Sequence, residues 1–85
     1  MSNLEKAKQR LRQIPKDYTY NEAKYLLGHL GYVENTKGKT SGSRVGFFRQ
    51  RDSDIILLHK PHPNNEMNVA VVRALAQHLK RNGDL

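Results

Sequence analysis

A chain of 85 residues builds one small domain, and with 36 % of its residues apolar it buries only a modest core. A nucleotide-cofactor enzyme is excluded by size, whereas a shallow surface site is not. The formal charge of +7, spread over the N-terminal segment, the 37–51 region and the C-terminal helix, calls for a polyanionic partner, nucleic acid or an acidic protein, unless it is no more than a solvated basic surface.

Residues 3–14 set Leu4, Ala7, Leu11 and Ile14 at helical spacing among Lys, Arg and Gln, and Pro15 closes this short amphipathic helix. Thr19-Tyr20-Asn21-Glu22 is a capping-box pattern that opens a second helix. Ala23, Leu26, Leu27 and Leu30 form its apolar face, and Gly31 stops it. Tyr32 to Glu34 predicts a short strand, Thr36 to Gly42 a loop, and Ser43 to Arg49 a second strand. Asp52-Ser53-Asp54 is turn chemistry, and Ile55 to His59 a third strand ended by Pro61 and Pro63. Asn64 or Asn65 is expected to cap a last helix over 66–81, with Val69, Val72, Ala76 and Leu79 as its core stripe, widened by Val71 and Leu75. Lys80 and Arg81 suit its C-terminal dipole, and Asn82-Gly83 ends it. The predicted fold is α+β, a three-stranded antiparallel sheet with helices on one face, in the order α-α-β-β-β-α. Stripped of its first helix, this is the element order of double-stranded-RNA-binding domains.

There is no cysteine, so disulfides and thiolate metal ligands are excluded. No apolar run approaches a membrane span, and the N-terminus has no signal-peptide core. A soluble cytoplasmic protein is expected.

Two segments carry chemistry. Thr40-Ser-Gly-Ser-Arg44 is a cationic, glycine-containing turn able to hold a phosphate, and His59-Lys-Pro-His-Pro63 places two imidazoles at i and i+3. A hairpin closed around Arg51-Asp52 pairs Arg49 with Asp54 and brings Arg44 opposite His59. Val45, Phe47, Ile56 and Leu58 then face the helices. Arg44, Gly46, Phe48, Leu57 and His59 share the open face. A one-residue slip would reverse every one of these assignments.

Metal-free RNA cleavage needs a base for the 2′-hydroxyl, an acid for the leaving 5′-oxygen and a cation for the charge on phosphorus. His59 and His62 supply groups that titrate near neutrality. Arg44 grips phosphate in a bidentate manner, Ser43 adds a hydrogen bond, and Lys37, Lys39 and Lys60 add charge. The same residues read equally as a strand-end histidine, a turn histidine and a solvated lysine loop. Phe48 and Leu57 make the open face apolar enough to bury against a protein partner.

His29 and His78 are expected to be solvated. Tyr18, Tyr20, Tyr25 and Tyr32 are read as packing residues, with base stacking as the alternative. Gly38-Lys39-Thr40 is not a P-loop, because Val33 stands where the first glycine is required. His59 and His62 have only Glu66 nearby to complete a zinc site, so no metal and no cofactor are expected.

Tyr18-Thr-Tyr-Asn-Glu22, Leu26-Leu27, Leu30-Gly31-Tyr32, Lys39-Thr-Ser-Gly-Ser-Arg44, Phe47 and His59-Lys-Pro-His-Pro63 together resemble the HicA family of toxins, over about Tyr18 to Leu79. The resemblance implies a double-stranded-RNA-binding-domain-like fold, ribosome-independent cleavage of mRNA as single-stranded RNA, and neutralisation by a HicB-type antitoxin that covers the active site. It divides the chain into an N-terminal helical extension, 1–17, and a HicA-like domain, 18–85. The usual family histidine after Gly-Ser is here Arg44, which is always protonated and a poor base. His62 falls near a second family histidine, and His59 belongs to a subgroup. Loss of the usual histidine leaves two further readings open, a noncatalytic RNA-binding module of the same fold and a basic protein-interaction domain.

Overall fold

Six elements follow one another in the computed structural model, which describes residues 3–35, 44–59 and 66–85, and of residues 35, 44 and 59 the backbone alone. They are α1 (Asn3–Arg12), α2 (Tyr20–His29), β1 (Val33–Asn35), β2 (Arg44–Arg49), β3 (Asp54–His59) and α3 (Val69–Arg81). The order and the α+β class are those expected. The three strands form one antiparallel sheet in the order β1-β2-β3. Among the described residues no helix is long and apolar enough to cross a membrane.

The capping box of α2 forms as its spacing predicts. Thr19 Oγ1 accepts from the Glu22 amide at 3.1 Å, and the Glu22 carboxylate accepts from the Thr19 amide at 2.9 Å. Both reciprocal bonds satisfy amides that helix geometry leaves free. At the other end Gly31 has φ +98, and a Cβ there would meet the Arg49 side chain at 3.4 Å. Glycine thus answers the left-handed turn, while the Arg49 side chain lies at ordinary contact distance. Tyr32 closes that turn through its amide on Leu27 O at 2.9 Å, so β1 starts at Val33, one residue later than expected.

Helix α1 ends at Arg12, short of the expected residue 14. Ile14 takes φ +49 immediately before Pro15, which disfavours helix at the residue it follows. Leu11 is nevertheless fully buried, and Leu4, Ala7 and Ile14 pack against the same core. Arg10 ties α1 to α2 through Glu22 at 2.6 Å and to Asp17 at 3.1 Å.

The start of α3 corrects the expectation of a helix from residue 66 capped by Asn64 or Asn65. The cap is Asn68, whose side chain accepts from the Ala70 amide at 2.7 Å. Glu66 is instead bridged to Thr19, and the Met67 amide donates to Tyr18 O at 2.8 Å with its side chain buried. The chain must stay extended to make these bonds, so the helix starts only after them. Residues 36–43 and 60–65, including both of the expected cap asparagines, lie outside the described residues.

The core lies between the sheet and the helices. Val45, Phe47, Ile56 and Leu58 are buried, as the alternation requires, against Tyr20, Leu26, Leu27 and the Val72, Leu75, Ala76 and Leu79 stripe of α3. Val69 and Val71 are half-buried at its rim. Tyr18, Tyr20 and Tyr32 are packed into the core, while Tyr25 stays exposed.

Candidate nucleic-acid interface

The register of β2 and β3 is the one the hairpin chemistry predicts: Arg49 opposite Asp54, Phe47 opposite Ile56, Arg44 opposite His59. Strand alternation therefore sets Arg44, Gly46 and Phe48 on one face, with Ile55, Leu57 and His59 across from them. Among the described residues, the buried strand side chains Val45, Phe47, Ile56 and Leu58 belong to the other face.

Its centre is apolar and open. Val33 pairs with Phe48, and Phe48 with Ile55, making one row across all three strands. Their exposures are 66 %, 38 % and 58 %, and Leu57 in the next row is 63 % exposed. The Leu57 side chain lies over Gly46, where an added Cβ would sit 3.5 Å from Leu57 Cδ2. Phe48 and Leu57 were named from sequence as partner-binding residues. Val33 and Ile55 were not, although the same period-two rule finds them once the register is fixed.

Arg44 and His59 end this face as Cα partners, which in an antiparallel ladder stand about 4.5–5.5 Å apart. The sheet thus brings the guanidinium-bearing and imidazole-bearing positions together at one end of an apolar strip. Lys37, Lys39, Ser43, Lys60 and His62 lie outside the described residues.

The opposite end of the sheet holds a network that sequence reading missed. Arg49, only 2 % exposed, donates to Asp52 at 2.9 Å, to Asp84 at 2.8 Å and to Leu30 O at 3.1 Å. Its guanidinium lies 4.5 Å from the centroid of the Tyr32 ring. Hydrogen bonds from Arg49 to Asp84 and Asp52 outweigh burial and raise its pKa further, so its charge is permanent. Asp54 accepts from Tyr32 Oη, from His78 Nε2 at 2.8 Å and from Asn82 Nδ2 at 3.1 Å. Burial pushes the Asp54 carboxyl up, but these three hydrogen bonds prevail and hold it below the ordinary carboxylate range.

His78 is thus not the solvated residue expected. The last turn of α3 lies beside the start of β3, and that tertiary crossing places the imidazole on Asp54. His29 is exposed, with its ring 4.2 Å from that of Tyr25 and Nδ1 at 2.9 Å from Tyr25 O.

No protein-family model, curated protein sequence or solved structure matches the chain.

Proposed function

We propose that this chain is the toxin of a type II toxin–antitoxin pair, a metal-free endoribonuclease of HicA type that cleaves single-stranded mRNA in the cytoplasm and is neutralised by a HicB-type antitoxin. The observation that carries this reading is the pairing of Arg44 with His59 across β2 and β3, on the uncovered face of a protein of charge +7.

In this reading Arg44 holds the phosphodiester, and the His59 position is its partner one strand away. One of His59 and His62 takes the proton of the 2′-hydroxyl, and the 2′-oxygen attacks phosphorus. The bond from phosphorus to the 5′-oxygen breaks, and the other imidazole protonates the leaving oxygen. Arg44 stabilises the charge that accumulates on phosphorus, and Ser43, Lys37, Lys39 and Lys60 hold the neighbouring backbone. The row of Val33, Phe48 and Ile55, with Leu57, is a surface of the kind that a protein partner buries. An acidic antitoxin seated there covers Arg44 and His59 and blocks RNA by occupancy.

Arg44 itself favours a second reading. A permanently protonated group in place of the usual family histidine suits an RNA-binding module without catalysis. Induced expression of the wild-type chain and of His59→Ala, followed by growth and RNA decay, separates the two. The ribonuclease reading expects growth arrest and RNA decay with the wild type, and neither with His59→Ala. RNA binding without decay by the purified wild-type protein supports the noncatalytic module.

A further inference from the structure

Between α1 and α2, on the helical layer, lies a cleft of about 390 Å³, within the size range of small-ligand sites. Lys6, Ala7 and Arg10 of α1 line it with Asn21 and Tyr25 of α2, and Tyr18 of the connecting segment completes it. Tyr18 is 1 % exposed, and among the described residues its Oη is the one buried side-chain polar atom without a hydrogen-bond partner. The other two buried tyrosines are satisfied: Tyr20 donates to Glu34 and Tyr32 to Asp54. A hydroxyl shut off from bulk water and left unpaired is disfavoured, and native proteins supply such groups with a partner. Burial also raises the Tyr18 pKa, which keeps the group a donor. The partner it lacks is an acceptor.

The surroundings define what carries that acceptor. Glu22 also lines the cleft, but Arg10 neutralises it at 2.6 Å, and this pairing, stronger than the effect of burial, holds its carboxyl below the ordinary range. Arg10 Cζ lies 5.9 Å from the Tyr18 ring centroid, so a guanidinium lies over the face of that ring. Lys6 is exposed at the rim, and Asn21 offers an amide with both donor and acceptor. Tyr25 presents a ring that is 41 % exposed and is braced by His29. A flat ring with acceptor atoms and an attached anion matches an aromatic shelf, a buried donor and a cationic rim together.

We propose that the α1–α2 cleft binds one nucleotide unit, its base laid on Tyr25 with an acceptor atom on Tyr18 Oη and its phosphate at Lys6. The site is separate from the open sheet face and stands without the ribonuclease reading. A free nucleotide and one residue of a bound RNA strand share this chemistry.

The test is titration of the isotope-labelled full chain, followed by amide NMR, with AMP, GMP, CMP and UMP, with inorganic phosphate, and with a short 2′-O-methyl oligoribonucleotide. Saturable shifts at Ala7, Asn21 and Tyr25 with a mononucleotide establish a free-nucleotide site. The same shifts with the oligonucleotide alone establish a strand-borne one. Tyr18→Phe keeps the ring and the fold and should weaken binding about tenfold, the worth of a hydrogen bond to a buried group. Tyr25→Ala should weaken it by roughly tenfold, as loss of a stacking ring does. The proposal is overturned if no nucleotide or oligonucleotide shifts these amides, or if phosphate alone produces the same shifts at the same concentration. Tyr18→Phe that binds as well as wild type overturns it too.

Discussion

The two ends of the sheet are built on opposite rules. At the β2–β3 turn every charged side chain is committed: Arg49 to Asp52 and Asp84, Asp54 to Tyr32, His78 and Asn82. At the other end Arg44 and His59 are brought opposite each other at the edge of an uncovered apolar strip, on a chain with a large excess of positive charge. The first arrangement closes a fold. The second is a backbone register at the edge of an exposed apolar row, and the contrast teaches that a histidine and an arginine near one strand pair are not evidence of a site until the face they occupy is known.

The sharpest way to break this contrast is to exchange the fates of two histidines. His59→Ala should cut RNA cleavage by roughly 100- to 10,000-fold, the range of general acid–base groups, and leave the melting temperature unchanged. His78→Ala should leave cleavage intact and lower stability by about 1 kcal/mol, the worth of one hydrogen bond. Kinetics and thermal melts on the same samples decide it, and a His59→Ala protein that cleaves normally removes His59 from the proposed chemistry.

Arg49→Met should be the most damaging change to folding. It removes the buried partner of the Asp84 carboxylate, whose side chain is only 9 % exposed, and leaves it the exposed Arg51 at 3.5 Å; loss of one partner of a buried ion pair costs about 3 to 5 kcal/mol. Denaturant midpoints check this. A near-neutral effect would mean that the closed end contributes little to the fold.

Arg44→Ala should act on binding and not on folding, lowering the salt slope of RNA affinity by about one. An unchanged slope removes Arg44 from the phosphate contacts. On the same face, Phe48→Asp should abolish capture by an acidic antitoxin, with a loss of stability of about 1 kcal/mol from its cross-strand pairs with Val33 and Ile55. Charge reversal at Lys80 and Arg81, on α3, should leave that capture intact. Pull-down with the product of a neighbouring gene measures both.

Acid sensitivity is the finest of these tests. Asp54 titrates below its ordinary value in the folded state and at its ordinary value, about 4, in the unfolded chain. The unfolded state therefore takes up the proton first as pH falls. The stabilisation is complete above the ordinary carboxylate range and is lost as pH drops through the folded value. Asp54→Asn should be less stable than wild type at neutral pH and should lose less on acidification. Parallel acid slopes for the two proteins would show that Asp54 is not the group responsible.

Much of this molecule was legible in its sequence because the signals are local. Thr19 and Glu22 lie one helical turn apart, and each needs only the other to cap α2. Asp52 and Ser53 make a turn, and period-two alternation then sets the whole β2–β3 register, from Arg49 opposite Asp54 to Arg44 opposite His59. Buried Phe47 beside exposed Phe48 follows from that register alone. What only the tertiary structure decided involves residues far apart in the chain. Asn68 became the cap of α3 because Glu66 and Met67 were already bonded to Thr19 and Tyr18. His78 became a partner of Asp54 because the end of α3 lies beside the start of β3. Tyr18 was left with a buried, unpaired hydroxyl because α1 folds over the segment that precedes α2. Local patterns choose the elements and the face each side chain takes, whereas contacts across tens of residues depend on how the elements cross, which spacing along the chain does not encode.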